Sequence, residues 1–242
     1  MDIRFFQQGF NYSQDGPGNR LVLHLQGCNL RCPWCSNPEG LQFDGGKTMS
    51  VSALLDLARS CRMMFFDGGG VTLTGGEATM QFDAVKEFLT RLHEEGIHTA
   101  LETNGLNPRL PELFPVVDHL IMDYKHHDPD MHRRITGASN DLTRRNLALA
   151  LEAGKSPAVR IPLIGGFNAS QEDAHRFAAV FRGLGLPGRG TLELLCYHEY
   201  GKDKYAARGM AYTMTADARI APETLAYFEK TLTDAGLTLI RT

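Results

Sequence analysis

The sequence lacks the features that mark several classes of protein. It contains no apolar run of 18 residues, so no segment is expected to span a bilayer. Its net charge of −3 provides no basic field that would attract nucleic acid or anionic lipid. Its first residues show no basic segment followed by an apolar run, so no secretory signal is expected. We therefore expect a cytoplasmic protein without a nucleic-acid or membrane partner.

Cysteine is also scarce, because the 242 residues contain only five. The rest of the composition is that of an ordinary globular protein, with 43% apolar and 22% charged residues. A chain of this length buries enough apolar surface to need no disulfide staples. An odd cysteine count is typical of a reducing compartment, where thiols act as ligands rather than forming disulfides.

Three of the five cysteines, Cys28, Cys32 and Cys35, lie within eight residues and have the spacing C-x3-C-x2-C. Thiolate is the ligand that iron–sulfur clusters prefer, and three thiolates can hold three irons of a four-iron cluster. The remaining iron would be open to bind and reduce another molecule. The spacing therefore favours a 4Fe-4S cluster with an open position over the four-cysteine cluster of an electron-transfer ferredoxin.

Zinc is the alternative metal for these cysteines. A structural zinc site needs four protein ligands, usually from paired Cys or Cys/His knuckles. Cys61 and Cys196 each stand alone in the sequence without such a partner, and we expect both in the core. The nine histidines still offer a distant fourth ligand, so the spacing leaves a Cys3His zinc site open.

Short apolar segments alternate with amphipathic, helix-length segments from residue 20 onward. This alternation is typical of parallel β/α units. Six predicted strands indicate an α/β protein with an open, partial (β/α)6 TIM-like barrel. We expect a single domain over residues 1–242, with a core over about 15–204 and a C-terminal helix and strand over 221–242. The predicted strands are 20–26, 70–74, 98–103, 119–124, 158–164 and 191–197, and the predicted helices are 51–61, 81–95, 110–114, 142–153, 171–184 and 221–235.

Polar residues cluster at the C-terminal ends of the predicted strands, where β/α folds gather their functional side chains. After the second strand, Gly75 and Gly76 allow the backbone to approach a ligand closely, and Glu77 offers a carboxylate suited to an ammonium group. We expect one shared site from these positions. The other polar features are Cys28 after the first strand, Glu102, Thr103 and Asn104 at the third, Asp123 and Lys125 at the fourth, Arg160 within the fifth, and His198 after the sixth.

The cysteine motif, with Trp34 directly before its last cysteine, and Gly75-Gly76-Glu77 at the next strand resemble the radical S-adenosylmethionine superfamily. Within it, the chain is similar to the activating enzymes of glycyl radical enzymes, and nearest to those that serve pyruvate formate-lyase. The supporting motifs run from about residue 15 to 204. They are Asp15-Gly16-Pro17-Gly18-Asn19-Arg20, Glu102-Thr103-Asn104-Gly105, Asp123-Tyr124-Lys125, Thr136-Gly137-Ala138-Ser139-Asn140 and Tyr197-His198-Glu199-Tyr200-Gly201-Lys202.

The resemblance assigns roles to residues of this sequence. It implies that Cys28, Cys32 and Cys35 hold one 4Fe-4S cluster whose open iron binds S-adenosylmethionine, with no catalytic side chain beyond the cluster and cofactor. Asp15 resembles a contact to the glycine loop of the partner protein. The implied cofactor-binding residues are Trp34, Gly75, Gly76, Glu77, Lys125, Arg160 and His198. Glu102, Thr103 and Asp123 resemble a monovalent-cation site, although the family motif usually has aspartate where this chain has Glu102.

The resemblance also implies a reaction and partners. Reductive cleavage of S-adenosylmethionine would give a 5′-deoxyadenosyl radical that abstracts hydrogen from a glycine Cα of a pyruvate formate-lyase-like glycyl radical enzyme. A flavodoxin or ferredoxin would donate the electron, and we expect a monomer. Residues 36–74 contain only Cys61, so a single cluster is expected. Two other functions stay open: a radical enzyme acting on a small molecule or nucleotide, and a non-catalytic zinc or iron–sulfur module.

Overall fold

The computed structural model describes residues 1–242 and has an α/β architecture with nine strands in one open, mixed sheet. The strand order is β3-β1-β2-β4-β5-β6-β7-β8-β9, so β3 and β9 form the two edges. The strands are β1 (Asp2–Tyr12), β2 (Asn19–Leu25), β3 (Lys47–Ser50), β4 (Gly70–Gly75), β5 (His98–Thr103), β6 (His119–Asp123), β7 (Ala158–Leu163), β8 (Thr191–Cys196) and β9 (Thr238–Ile240).

Seven α-helices connect or flank these strands. They are α1 (Val51–Ser60), α2 (Phe82–Glu94), α3 (Pro129–Thr136), α4 (Asp141–Glu152), α5 (Gln171–Gly183), α6 (Lys202–Ala207) and α7 (Pro222–Asp234). No helix is both long and apolar enough to cross a membrane. The predicted helix over 110–114 is instead a 3-10 segment, Leu110–Val116, which contains two prolines that remove backbone donors.

The prediction of an α/β fold with an open, partial barrel is confirmed. The six predicted strands correspond to β2 and β4 to β8, and the predicted C-terminal strand is β9. β1 and β3 were not predicted. β1 pairs antiparallel with β2 on one side and with β3 on the other. Only Ile3 and Phe5 of the eleven residues of β1 are buried. A strand that is mostly exposed and held by long-range pairing has little local signature.

By its internal contacts the chain divides into two compact units. The first contains Met1–Asn29 and Glu39–Ile121 together with Thr242, and the second contains Leu30–Pro38 and Met122–Arg241. The cysteine motif is divided between them, because Cys28 belongs to the first unit and Cys32 and Cys35 to the second. The single-domain organisation stays a prediction.

In the first unit, β2 and β4 form a parallel pair that is buried along nearly its whole length. Leu25 aligns with Gly75 at the C-terminal end of this pair, and β4 aligns with β5 from Gly70 to Leu73. The buried, apolar character of these strands is typical of parallel sheets that are covered on both faces. Their aligned ends bring the segments after residues 25, 75 and 103 to one edge of the sheet.

Two predicted helix starts are confirmed by side-chain caps. In the first unit, the Ser50 side chain accepts a hydrogen bond from Ala53 N at the start of α1. In the second unit, Ser170 and Asp173 form a reciprocal capping box at the start of α5. The buried face of α5 includes Phe177 and Phe181, whose rings pack edge-on against Tyr124.

Candidate functional site

In the first unit, the carboxylate of Glu77 is buried and fully engaged within the protein. Glu77 is 2% exposed and accepts four hydrogen bonds. Oε1 accepts from Thr79 N at 3.0 Å, Thr79 Oγ1 at 2.6 Å and Thr103 Oγ1 at 2.7 Å, and Oε2 accepts from Asn104 N at 2.7 Å. Burial raises the pKa of Glu77, and the four hydrogen bonds act in the opposite direction. The carboxylate ties the turn after β4 to the end of β5.

The two glycines before Glu77 are required by packing of backbone on backbone. A Cβ on Gly76 would lie 2.4 Å from the carbonyl oxygen of Gly27 and 2.5 Å from that of Gly40. Gly75 has φ of 116°, and a Cβ there would lie 2.2 Å from Leu25 N. Gly76 N donates to Leu25 O at 2.9 Å and Glu77 N donates to Gly27 O at 2.8 Å. The turn is therefore fixed against the segment that leads into the cysteine motif.

The same network reaches the residue that follows Cys28. Asn104 Nδ2 donates to Asn29 Oδ1 at 2.8 Å, while the backbone N of Asn104 donates to Glu77. Cys28 is 8% exposed, and Gly27 N donates to Gly40 O at 3.0 Å. Hydrogen bonds of the Gly27 backbone and of the Asn29 side chain thus hold the chain on both sides of Cys28. Sequence reasoning missed Asn29 and Thr79, for which the only signal was their proximity to Cys28 and Glu77.

Glu102 and Thr103, two of the three predicted cation ligands, also belong to the first unit. Glu102 Oε2 accepts from Thr74 Oγ1 at 2.6 Å, and Thr103 Oγ1 donates to Glu77. The two side chains point to opposite faces of β5 because they are adjacent in a strand. The structure therefore engages Glu102 and Thr103 in different hydrogen bonds, and their joint role in a cation site stays a prediction.

Asp15 lies in a loop that covers one face of β4. Its backbone oxygen accepts from Thr72 Oγ1 at 2.7 Å, and its carboxylate accepts from Asn11 Nδ2 at 2.5 Å. Thr72 and Thr74 point to the same face because they are two residues apart in the strand. The loop therefore lies over the face of β4 from which Thr74 contacts Glu102.

The buried side chain of Arg20 holds this loop by hydrogen bonds. This side chain is 0% exposed and donates to the carbonyl oxygens of Pro17 and Val71 and to Thr72 Oγ1. Burial lowers the pKa of Arg20 to about 10. A fully buried guanidinium is expensive unless its donors are satisfied, so these bonds make the loop an integral part of the first unit.

In the second unit, Cys32 and Cys35 are the two ends of one tight turn. Cys35 N donates to Cys32 O at 3.1 Å, and both side chains are partly exposed. Arg31 N donates to Thr136 O at 2.8 Å, which anchors the segment to the C-terminal end of α3. On its other side, a Cβ on Gly201 would lie 2.4 Å from Cys35 O. We call residues 31–37 the cysteine loop.

Aromatic residues support the cysteine loop. Trp34 packs on Phe167 with ring centroids 4.9 Å apart, and both join a small cluster with Ile164 and Tyr197. Tyr205 is 5% exposed; burial raises its pKa to about 12, and the charges of Cys35 and Cys32 add to that shift. Tyr205 was not predicted as a site residue, and no spacing in the sequence connects it to the cysteines.

Two of the predicted cofactor-binding residues of the second unit, Lys125 and Arg160, are held by acidic partners. Lys125 Nζ lies 2.8 Å from Asp123 Oδ2, so the third predicted cation ligand is engaged by a lysine. Arg160 Nε lies 2.8 Å from Glu193 Oε2, with both side chains buried. The His198 ring stacks on the Tyr200 ring with centroids 4.0 Å apart, and burial of part of the ring lowers the pKa of His198.

One further group, His126, His127 and Asp173, has ligand atoms within 4.8 Å of one another. His127 Nε2 contacts Asp173 Oδ1 at 2.7 Å. His126 Nδ1 accepts from Asp128 N at 2.9 Å, so Nε2 carries the proton and donates to Phe167 O at 3.1 Å. Because both ring nitrogens of His126 are engaged, this group lacks a third lone pair for a metal. His126 is 2% exposed, so its ring is buried in the second unit.

The cysteines fit an iron–sulfur cluster. None of the five cysteines forms a disulfide. Cys61 and Cys196 are partly buried rather than in the core, which corrects the prediction for both. Cys32 and Cys35 on one turn, with Cys28 four residues before in the sequence, provide three soft thiolate ligands within eight residues. This donor set matches three corners of a four-iron cluster.

Comparison with known proteins gives a consistent result. The family model described as "Radical SAM superfamily" matches residues 22–178. The pyruvate formate-lyase 1-activating enzyme of Escherichia coli K12 is 34% identical over 205 residues, which cover 83% of this chain and 82% of that protein. The (2S)-3-sulfopropanediol dehydratase activating enzyme of Klebsiella oxytoca is 30% identical over 265 residues, covering 83% of each.

Solved structures show the same fold. A domain of a pyruvate-formate lyase-activating enzyme from Bacteroides vulgatus aligns with a TM-score of 0.58 and 28% identity, covering 72% of this chain and 98% of that one. Streptococcus suis SuiB, bound to its precursor peptide SuiA, aligns with a TM-score of 0.67 over 91% of this chain and 48% of that one. At 16% identity, the likeness to SuiB concerns the fold alone.

Proposed function

This chain belongs to the radical SAM superfamily, and we propose that it is an activating enzyme that generates a glycyl radical on a partner protein of the pyruvate formate-lyase type. The observation that carries the proposal is identity of 30% or more, over about five sixths of the chain, to proteins named as activating enzymes. The three cysteines of the motif, none of which forms a disulfide, support the same conclusion.

Cys28, Cys32 and Cys35 would hold one 4Fe-4S cluster, and S-adenosylmethionine would bind beside it. When bound, this pair supplies reductive cleavage of the sulfonium and a 5′-deoxyadenosyl radical that takes hydrogen from a glycine Cα. The protein itself binds and orients. Trp34, Lys125, Arg160 and His198 are the cofactor contacts that we propose from the second unit, where Glu193 and Asp123 fix the positions of Arg160 and Lys125.

Gly75, Gly76 and Glu77 are the contribution that we propose from the first unit. The Glu77 carboxylate accepts from four internal donors, so it acts by holding the backbone of the turn. The partly exposed residues Gly75 and Gly76 are then left to meet the cofactor. Glu102, Thr103 and Asp123 are proposed as ligands of a monovalent cation, and Asp15 as a contact to the partner's glycine loop. We further propose a cytoplasmic monomer with a flavodoxin or ferredoxin as electron donor.

The test is anaerobic. The protein is reconstituted with iron and sulfide, reduced, and mixed with S-adenosylmethionine and a panel of glycyl radical enzymes that includes pyruvate formate-lyase. We expect a glycine-centred doublet in the electron paramagnetic resonance spectrum of one partner. Cofactor cleavage with a modified small molecule and no protein radical would support the small-molecule enzyme instead, and one zinc without acid-labile sulfide would support the zinc module.

A matched pair of cysteine variants assigns the ligands. Cys32→Ala should abolish cofactor cleavage and leave the chain folded, since it removes one of three proposed cluster ligands. Cys61→Ala is the control, because Cys61 is a partly buried thiol outside the motif and should retain full turnover. Turnover by Cys32→Ala would contradict the ligand assignment. Far-ultraviolet circular dichroism of both variants checks that each is folded.

A further inference from the structure

Positive charge is concentrated around the cysteine loop. The whole chain has a net charge of −3, yet residues 30–38, 129–137 and 201–209 together contain six basic and only two acidic residues. The two acidic residues are Asp130 and Asp203. We call the six basic residues the basic rim: Arg31, Arg133, Arg134, Lys202, Lys204 and Arg208.

Each of these three segments contacts the cysteine loop or belongs to it. Arg31 lies in the loop, and its backbone N donates to Thr136 at the end of α3. Gly201 packs against the backbone of Cys35, and Lys204 Nζ donates to Asn37 Oδ1 at 3.0 Å. The helices that carry the charge are therefore also the supports of the loop.

The side chains of the basic rim are largely exposed. Arg31, Arg133, Arg134, Lys202 and Arg208 are all exposed, and Lys204 is partly buried. Arg133 pairs with Asp130 at 3.1 Å, and this ion pair joins two exposed side chains and contributes little. Exposed cations elsewhere in this unit also form ion pairs, as in Arg176 with Glu172 and Lys230 with Asp234.

We propose that the basic rim docks an acidic electron-carrier protein beside Cys32 and Cys35. This inference rests on the proposed function, because a cluster held by these cysteines must receive an electron before it can react. One electron would pass from the reduced carrier to the oxidised cluster, so the carrier is oxidised and the cluster reduced by one electron each. Electron transfer slows steeply with distance, so the carrier must approach the loop closely. Opposite charge at that approach raises the association rate.

The test measures reduction of the reconstituted protein by a reduced flavodoxin in anaerobic stopped flow. The variant is Lys202→Glu with Arg208→Glu, two exposed residues outside the proposed cofactor contacts. The control is Arg176→Glu with Lys230→Glu, which changes the net charge equally on α5 and α7. At low salt we expect the rim variant to be reduced about tenfold more slowly and the control to be unchanged within about twofold, with the difference vanishing at high salt.

Dithionite, a small reductant that needs no docking surface, distinguishes slower docking of the carrier protein from an altered cluster. It should reduce wild type, rim variant and control at the same rate. Equal flavodoxin rates in all three proteins would overturn the proposal, and so would a rim variant that is equally slow with dithionite, since the cluster itself is then altered. Radical formation that is slowed in the dithionite-reduced rim variant would assign the rim to the protein substrate. A protein that assembles no cluster would contradict the proposed function itself.

Discussion

The Gly-Gly-Glu turn of the first unit and the cysteine loop of the second are built in opposite ways. Glu77 is 2% exposed and accepts four hydrogen bonds, and the neighbouring glycines touch backbone on several sides. Cys32 and Cys35 are partly exposed, and the backbone of their loop forms a turn bond from Cys35 N to Cys32 O and a bond from Arg31 N to Thr136 O of α3. The hydrogen bonds of the Gly-Gly-Glu turn are thus satisfied without any ligand.

The difference has a thermodynamic consequence. Groups whose hydrogen bonds are satisfied inside the protein stabilise the folded chain itself, whereas metal ligands add most of their stabilisation when the metal is bound. Substitutions in the turn should therefore lower the stability of the protein without its cluster. Substitutions of the cysteines should leave that stability nearly unchanged and remove the cluster.

The largest effect is expected at Glu77. Glu77→Ala leaves Thr79, Thr103 and Asn104 with buried donors and no acceptor, and should lower the free energy of unfolding by about 4 kcal/mol. Glu77→Gln keeps the shape and one acceptor oxygen but sets an amide NH2 against Asn104 N, and should cost about 2 kcal/mol. Urea unfolding of the cluster-free protein measures both. A change within error for Glu77→Ala would show that the turn is not an independent source of stability.

A smaller effect is expected at Gly76. Gly76→Ala places a Cβ within 2.5 Å of two carbonyl oxygens, and should cost about 2 kcal/mol of unfolding free energy because backbone has to shift. Gly9→Ala, in β1 of the same unit, is the matched control, since nothing lies within 4 Å of the added Cβ. In thermal unfolding, we expect Gly76→Ala to have a lower melting temperature than Gly9→Ala. Equal melting temperatures would mean that the turn relaxes easily.

The smallest effect is expected from acid, and it concerns the support of the cysteine loop. His132 in α3 is 3% exposed, and burial lowers its pKa below the ordinary value of 6.5. The unfolded chain then binds a proton that the folded chain excludes, so stability is complete above about pH 6.5 and falls as the pH drops toward the lowered pKa. His132→Gln should flatten this dependence between about pH 7 and pH 5.

His175→Gln is the control for the acid prediction, because His175 is exposed on α5 and should leave the pH dependence as it is in the wild type. Urea unfolding at several pH values measures all three proteins. Identical pH profiles for wild type and His132→Gln would show that α3 does not carry this proton linkage.

The part of the fold that was predictable from sequence is the part with a local pattern. Buried parallel strands such as β2 and β4 are continuous apolar runs, and the caps Ser50 and Ser170 precede their helices directly. β1 shows no such pattern, since its second half is exposed and its place is decided by pairing with β2 and β3. In the candidate site, the cysteines were predictable because they are close in sequence. The residues that support their loop, such as Thr136 and Gly201, are distant in sequence and were not predicted for this role.

The sequence by itself determined which residues are available for chemistry: three thiols at C-x3-C-x2-C spacing, a Gly-Gly-Glu turn, and their order along alternating strands and helices. Only the tertiary structure decided how those residues are used. It directed the Glu77 carboxylate to Thr79, Thr103 and Asn104, and it linked Asn104 to Asn29 beside Cys28 across 75 residues of sequence. Spacing along the chain records which side chains can share a turn, whereas a hydrogen bond across strands exists only once the sheet has aligned their ends.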